Sequence, residues 1–253
     1  MKKIFFSFFI FITLTSYKNE SNPDLYGLVV IIDPGHGGTD PGANGYFGGQ
    51  LRITESAYCY DVALRLEKIL KSKGAIVFKT VKSAQRTPID NKPQQVIPFL
   101  RAYSLFTFDT SMVEAGTSGL SKRISFANSK FESYPKHKIV FISIHFDVLP
   151  KKISGTRVIT GVNASGLGNC LKIELENKHR LSTSGNPVLK TGDKTHGIKN
   201  IFVLGKTNKI SQCVLLELGN FNNEADLWRI RDPKVREDYA LIVTSSLERF
   251  MKK

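Results

Sequence analysis

The feature that most limits how this chain can fold is a series of short apolar runs separated by helical patterns. Several runs show no alternation of polar and apolar residues, which is typical of strands covered on both faces. They predict strands at 28–33, 75–80, 138–144, 156–160, 200–204 and 213–218. Helices are predicted over 54–73, 120–133, 165–180 and 233–252. The alternation favours an α/β fold, a single domain with a twisted, mostly parallel sheet flanked by helices on both faces.

The length and the first residues define the domain organisation. The 253 residues suit one α/β domain, and a hydrophobic content of 41% is enough for a packed core. Residues 1–16 place two lysines before an apolar run and then small polar residues, which predicts a secretory signal peptide rather than a buried strand or a membrane span. Residues 17–24 are predicted to be a polar linker, and 25–253 the folded domain. We expect an exported protein of the periplasm or cell envelope, without a stable membrane anchor after signal cleavage.

One segment, 82–119, does not fit a compact α/β pattern because it is too long for an ordinary connection. We interpret it as an insertion with a short helix at 94–105. Disordered segments are usually poor in aromatic residues, and this one contains Tyr103, Phe106 and Phe108. We therefore expect it to fold back onto the domain, as a wall of the substrate groove or as a lid over it.

The charge and the cysteines limit the class of partner and of site. A formal net charge of +14 favours anionic partners. An exported protein meets an anionic envelope, so we expect an envelope polymer and no nucleic acid; good solubility is the alternative explanation. The three cysteines are an odd number and form no CxxC pair, which argues against a disulfide framework or a cysteine zinc site. Cys59 and Cys213 lie in apolar patterns and are predicted to be core residues.

Reactive side chains lie at the ends of three predicted strands. His36 follows the first strand, His145 follows the third, and Glu217 lies near the end of the last. Ligands of open α/β sheets bind beyond the carboxyl ends of the strands, so we expect these three side chains at one edge. Glu55 joins them because it lies on the apolar stripe of the helix 54–73. A buried carboxylate is costly unless it is paired or bound to a metal.

Two imidazoles and one carboxylate are a common catalytic zinc set with an open fourth position. We therefore predict that His36, Glu55 and His145 bind Zn²⁺, and that Glu217 is the general base, since an unpaired charge has no structural use in an apolar strand. Glycines around His36 allow the backbone to approach the metal closely. Each residue also has an ordinary explanation: a loop histidine, a core histidine, a charge at a helix N-terminus and a surface glutamate. GHGG as a phosphate loop lacks the required spacing.

Five blocks of sequence together resemble the zinc-dependent N-acetylmuramoyl-L-alanine amidases of the amidase type 3 family: IIDPGHGGTDPGANG, TESAYCYDVALRLEKIL, LSKRISFAN, FISIHFD and VLLELGNFNN. The resemblance implies a peptidoglycan hydrolase that cuts the amide between N-acetylmuramic acid and the L-alanine of the stem peptide. It makes 25–253 a zinc amidase catalytic domain. By position, His36, Glu55 and His145 match the zinc ligands and Glu217 matches the catalytic glutamate.

Other matched positions carry less chemistry. Arg123 and Asn128 match an Arg and an Asn of the helix before the SIH strand, and we interpret both as structural. Phe146-Asp147 stands where the family often has Ala-Asn, and Asn220 separates the last Gly from the Phe; we expect such changes to affect substrate preference more than zinc chemistry. The alternative functions are a zinc peptidase acting on free peptides and a catalytically silent cell-wall-binding protein. No activator protein is indicated.

Overall fold

A computed structural model describes residues 24–38, 40–47, 51–83, 85–97, 107–108, 111–112, 117–177 and 201–253. Its strands are β1 (Leu28–Pro34), β2 (Asn44–Phe47), β3 (Leu51–Thr54), β4 (Ile76–Lys79), β5 (Thr107–Phe108), β6 (Ser111–Met112), β7 (Lys138–Asp147), β8 (Arg157–Thr160) and β9 (Gln212–Asn220). Its helices are α1 (Glu55–Ser72), α2 (Thr117–Ser133), α3 (Ser165–Asn177), α4 (Glu224–Arg231) and α5 (Pro233–Met251). The predicted signal peptide 1–16 lies outside the described residues.

The central sheet has five strands in the order β4-β1-β7-β9-β8. β4, β1, β7 and β9 run parallel, and β8 pairs with β9 antiparallel at the edge. This confirms the predicted mostly parallel sheet. Since the parallel strands all point the same way, the carboxyl ends of β1, β7 and β9 meet at one edge, where ligands of such sheets bind.

Helices cover both faces of the sheet, as predicted. Val30 and Ile32 of β1 belong to the larger core cluster, which α1, α3 and α5 complete. Ile31 points to the opposite face and belongs to a second cluster with Ile124 of α2. β1 is buried along its whole length, which explains why its sequence is apolar without alternation. The three cysteines are free and buried, in agreement with a structural role.

Some predicted elements differ from the structure. The strand predicted at 200–204 is wrong, because Phe202–Leu204 form one turn of 3-10 helix. Val203 and Leu204 are apolar because they cover the α2 face of the sheet, and periodicity alone does not separate a short buried turn from a strand. Of the helix predicted at 94–105, residues 94–97 are not helical, and 98–105 lie outside the described residues. α4 and the β2–β3 hairpin were not predicted.

The first part of the predicted insertion is an integral part of the domain. Ile97 is fully buried, and its N–H donates to the Tyr58 hydroxyl at 3.1 Å. The Ile89 N–H donates to Asp61 at 2.6 Å, and the Ile89 carbonyl accepts from Arg236 at 2.8 Å. Residues 85–97 therefore lie against α1 and α5. The aromatic residues Tyr103 and Phe106, which motivated the prediction of a lobe, lie outside the described residues.

Candidate metal centre

The loop after β1 holds His36 in an unusual conformation. His36 has φ of 58°, in the left-handed region that residues other than glycine rarely adopt. Such a conformation costs on the order of 1–3 kcal/mol and persists where the surroundings over-determine it. Here the backbones of Gly37 and Asp40 exchange two hydrogen bonds of 2.8 and 3.1 Å. The Asp40 carboxylate lies 2.8 Å from His36 Nδ1, so Nδ1 donates to Asp40 and Nε2 is the ring nitrogen that faces Glu55.

Two glycines bring backbone into contact with the site. A Cβ on Gly35 would lie 2.6 Å from the His145 ring. At Gly42, whose φ is +67°, a Cβ would lie 2.6 Å from the His36 ring and 2.7 Å from Glu55 Oε2. Real Cβ atoms do not make such contacts, so only glycine fits at either position. The glycine-rich sequence around His36 therefore serves close packing of this loop against the three predicted ligands.

Glu55 lies between the two histidines. It is the first residue of α1, directly after β3, and its side chain is 3% exposed. Oε1 lies 3.0 Å from His145 Nδ1, and Oε2 lies 3.0 Å from His36 Nε2. Each oxygen also accepts a backbone N–H, from Phe146 at 3.0 Å and from Ala43 at 2.9 Å.

These contacts shift the pKa values of the group in opposite directions. Burial raises the pKa of Glu55, but the hydrogen bonds with His145 and His36 outweigh it and hold that pKa well below its usual range. Burial lowers the pKa of His36, and the bonds to Asp40 and Glu55 more than reverse this, raising the pKa to about 10. The contacts in this group therefore favour the protonated form of His36 beside the ionised carboxylate of Glu55.

The three residues form a group suited to a metal ion. The ligand atoms of His36, Glu55 and His145 all lie within 4.8 Å of one another. Two imidazole nitrogens and one carboxylate oxygen are donors that zinc accepts. Asp40 behind His36 reproduces the carboxylate–histidine arrangement that orients metal ligands. The structure thus brings together the three residues predicted as ligands, and their chemistry fits zinc.

Glu217 lies beside this group. It is in register with His145 on β7 and with Arg157 on β8. Its Oε2 is buried and has no hydrogen-bond partner among the described residues. Burial, followed by repulsion from Asp147 and Glu55, raises the pKa of Glu217 to about 8. A buried carboxylate oxygen without a partner is costly, and a water or cation at this edge would satisfy it.

Asp33, the other polar residue at the end of β1, has a different task from His36. Its side chain is 1% exposed. It accepts hydrogen bonds from the Thr80 hydroxyl, from Ser143 at 2.8 Å and from Arg123 at 2.9 Å. Burial raises its pKa, but Arg123 and the hydroxyl donors outweigh this and lower the pKa overall. Asp33 therefore joins β1 to β7, to α2 and to the residue that follows β4, below the loop.

Arg123 and Asn128 both have structural contacts, but only Arg123 reaches the site. In addition to Asp33, the Arg123 guanidinium donates to the Pro34 carbonyl at 2.6 Å and to the His36 carbonyl. It therefore fixes the backbone that presents His36. Neither this contact nor the role of Asp40, four residues after His36, was predicted from the sequence. Asn128 binds Thr207 and Lys209 on the α2 face, away from the metal group.

The residues that depart from the family pattern line the same edge. The Asp147 carboxylate pairs with the Arg157 guanidinium through two hydrogen bonds. Asn220 is 1% exposed and donates from its amide to three carbonyls of the loop after β7: those of Leu149, Pro150 and Ile153. These contacts hold the loop after β7, and none of these hydrogen bonds involves one of the three predicted ligands.

Comparison with known proteins identifies a family. The sequence model of one protein family, the N-acetylmuramoyl-L-alanine amidases, matches residues 30–249 of the chain. An uncharacterized cell wall amidase of Bacillus anthracis is 28% identical over 229 residues, which is 88% of this chain and 35% of that protein. The germination-specific N-acetylmuramoyl-L-alanine amidase of Bacillus subtilis is 24% identical over 237 residues, 93% of this chain and 84% of that protein. The chain thus spans about a third of the first relative and most of the second.

The fold is also found in solved structures. The CwlD amidase of Clostridioides difficile, solved in complex with the GerS lipoprotein, superposes with a TM-score of 0.61 at 20% identity, over 88% of this chain and 98% of that one. At this identity the superposition supports the α/β fold. None of the helices in the described ranges is long and apolar enough to cross a membrane.

Proposed function

The chain belongs to the N-acetylmuramoyl-L-alanine amidase family, and from that premise we propose that it is a zinc-dependent peptidoglycan hydrolase. The bond cut is the amide between N-acetylmuramic acid and the L-alanine of the stem peptide. The observation that carries this proposal is the group of His36, Glu55 and His145 at the carboxyl edge of the sheet. Glu217 lies next to it in register with His145.

In this proposal, different residues bind the metal ion and transfer the proton. A bound zinc ion would lower the pKa of its water and polarise the scissile carbonyl. His36, Glu55 and His145 would hold the ion, and the Asp40 carboxylate would keep a proton on His36 Nδ1, so that Nε2 would be the nitrogen available to the ion. Glu217 takes the proton of the attacking water and returns it to the leaving amine. Burial and the neighbouring carboxylates raise its pKa, and a raised pKa suits a carboxylate that both accepts and donates a proton.

The test of this function is the chemistry of the products from purified sacculi. Amidase action releases stem peptides with a new L-alanine amino terminus and leaves the glycan strands uncut. Release of shortened glycan with new reducing ends would contradict the proposal. Hydrolysis of free peptides without action on sacculi would favour the alternative zinc peptidase. Binding to sacculi without any product would favour the silent wall-binding protein, which an intact Glu217 argues against.

We also propose that the protein acts in the cell envelope on peptidoglycan and not on nucleic acid. The family acts on the cell wall, and residues 1–16 have the composition of a signal peptide. The mature chain should then begin close to Tyr17. N-terminal sequencing of the exported protein tests this, and an exported chain that begins at Met1 would contradict it.

The insertion 82–119 is proposed to form a wall or a lid of the substrate groove. Residues 85–97 satisfy buried groups of α1 and α5, including Arg236 and Tyr58, so the test must spare them. Replacing only 98–116 with a short Gly/Ser turn keeps those contacts. A wall predicts weaker binding to sacculi with zinc retained, and a lid predicts higher activity. Unchanged kinetics on sacculi and on small muropeptides would leave the insertion without a part in function.

A further inference from the structure

β4 forms one edge of the central sheet, and no described strand pairs with its outer side. The N–H of Thr80, just beyond β4, donates to the Ile32 carbonyl of β1 at 2.9 Å. Alternate residues of a strand direct their backbone groups to the same side. The backbone N–H and C=O groups of Phe78 therefore point to β1, like those of Thr80. The backbone groups of Val77 and Lys79 point outward. Such an edge is a template for an added strand.

A groove of about 490 Å³ follows this edge. Tyr60, Leu64 and Glu67 of α1 form one side, Phe126 and Lys130 of α2 form the other, and three consecutive residues of β4 lie between them. The volume falls within the range of about 300–1,000 Å³ that is typical of ligand sites. Because the two helices cover opposite faces of the sheet, a chain in this groove would extend the sheet and lie between α1 and α2.

The groove is cationic. Among its lining residues, Lys79, Lys82, Arg86 and Lys130 are cations and Glu67 is the single acid. Glu67 is already shared, because it accepts from Lys71 at 2.7 Å and also from Lys79. Its charge is therefore not available to the other cations.

Two of the cations that line the groove are exposed, and a third lies over two aromatic rings. Lys82 and Arg86 follow β4, are exposed, and form no ion pair with the described residues. Lys130 Nζ lies 4.9 Å from the Phe78 ring centroid and 5.0 Å from that of Phe126. Its ammonium is thus held over the rings, with no carboxylate partner in the described part of the chain, and remains able to bind an anion.

We propose that this β4 groove binds an extended acidic peptide by strand addition. Backbone groups of Val77 and Lys79 would form the ladder, alternate side chains would face α1 and α2, and acidic side chains would meet the cations. The charge of the groove favours an acidic occupant. Its alignment with a strand edge that none of the described strands pairs favours a peptide over an anionic polysaccharide or polyphosphate, which have no backbone ladder to offer. The proposal is independent of the amidase chemistry.

The first experiment measures binding to the purified chain by fluorescence anisotropy. The probe is a short labelled peptide that alternates Glu and Val, and its comparator alternates Glu and Pro with the same charge. Proline cannot donate to a ladder, so we expect the Glu-Val peptide to bind at least about fivefold more tightly, the value of roughly one hydrogen bond. Equal binding of the comparator, or equal binding of polyphosphate of matched charge, would overturn strand addition.

Charge variants locate the site against the background of a basic protein. Lys82→Glu combined with Arg86→Glu should weaken the Glu-Val peptide about tenfold or more, because two attractive contacts become repulsive. Lys234→Glu combined with Lys252→Glu is the matched control, since both lysines are exposed residues of α5 or its C-terminus and neither lines the groove. An equal loss of affinity in both double variants would mean attraction by net charge, and would overturn the proposal.

Two substitutions at one position measure the contribution of the backbone hydrogen bonds between β4 and the peptide. Lys79→Ala and Lys79→Pro both remove the side chain, but only Lys79→Pro removes the outward N–H. We expect Lys79→Pro to bind the peptide about fivefold more weakly than Lys79→Ala; equal affinities would contradict strand addition. Hydrogen exchange on the unmutated chain gives the same answer if the proline variant fails to fold. The amides of Val77 and Lys79 should gain protection when the Glu-Val peptide is added, and unchanged exchange would overturn the proposal.

Discussion

Glu55 and Glu217 are both acidic, both lie at the carboxyl edge of the sheet, and yet their surroundings are opposite. Glu55 has a donor at each oxygen from the backbone and an imidazole at hydrogen-bond distance from each. Glu217 has a buried oxygen without a partner among the described residues. The pKa of the first is lowered, and that of the second is raised to about 8. The partners of these two carboxylates, and not their residue type or position, therefore set their pKa values, which supports the proposed roles of Glu55 as ligand and Glu217 as acid–base group.

Asp33 completes the comparison. It is as deeply buried as Glu55, but hydroxyls and a guanidinium satisfy it in place of imidazoles. An imidazole can lose a proton and bind a metal ion, whereas the guanidinium of Arg123 cannot. We therefore interpret Asp33 as an anchor for the loop. We therefore propose a different role for each of these three carboxylates, and each role can be tested separately.

The largest effect is expected from removing a ligand. His145→Ala takes one of the two imidazoles from the group around Glu55, so we expect loss of zinc and of hydrolysis together. The matched control is His137→Ala at the opposite end of β7, where the ring contacts Tyr134. Metal analysis of the purified variants is the measurement, and full zinc occupancy in His145→Ala would remove this residue from the ligand set.

A smaller effect is expected one step away from the metal. Asp40→Asn removes the carboxylate that fixes the His36 tautomer, and loss of such a partner typically weakens metal binding by about 10–100-fold. Competition with a zinc chelator measures the affinity. Asp24→Asn, at an exposed carboxylate near Lys73, serves as the control. An unchanged zinc affinity in Asp40→Asn would show that His36 is oriented by the loop backbone alone.

Substitution of Asp33 is expected to have the smallest effect on zinc binding. Its main effect should be on the free energy of unfolding, in a way that depends on pH. The folded state lowers the pKa of Asp33, so its contribution is complete above the unfolded value of about 3.9 and is lost as the pH falls through the folded value. Each unit of lowering is worth about 1.4 kcal/mol.

Denaturant unfolding across acidic pH measures this contribution. The stability of Asp33→Asn should be lower than that of the unmutated chain at neutral pH, and the gap should narrow as the pH falls below about 4. A gap that is independent of pH would mean that Asp33 is not the titrating anchor.

Much of the fold and of the candidate site could be predicted from the sequence. The parallel strands are apolar because both faces are covered, so their runs were visible, and residues at their carboxyl ends had to share an edge. His36, Glu55, His145 and Glu217 were predicted to share an edge in this way, and the structure brings them together there. The family match agrees with the predicted fold and class of enzyme.

The remainder depends on contacts that no local pattern encodes. Arg123 reaches the His36 carbonyl across 87 residues of sequence, and Asp61 joins Arg236 across 175. The strand predicted at 200–204 was wrong because a single buried turn has the same apolar composition as a strand. The groove beside β4 was not predicted either, since its helices, strand edge and cations are adjacent only in the folded chain.

The most direct test compares zinc content and turnover in Glu55→Gln and Glu217→Gln, with Glu132→Gln on the exposed surface as control. Glu217→Gln should keep its zinc and its fold while hydrolysis of sacculi falls by about 10²–10⁴-fold, the usual contribution of general acid–base catalysis. Glu55→Gln should lose zinc. Near-normal turnover in Glu217→Gln, or loss of its zinc with retention in Glu55→Gln, would contradict the division of roles between the two carboxylates.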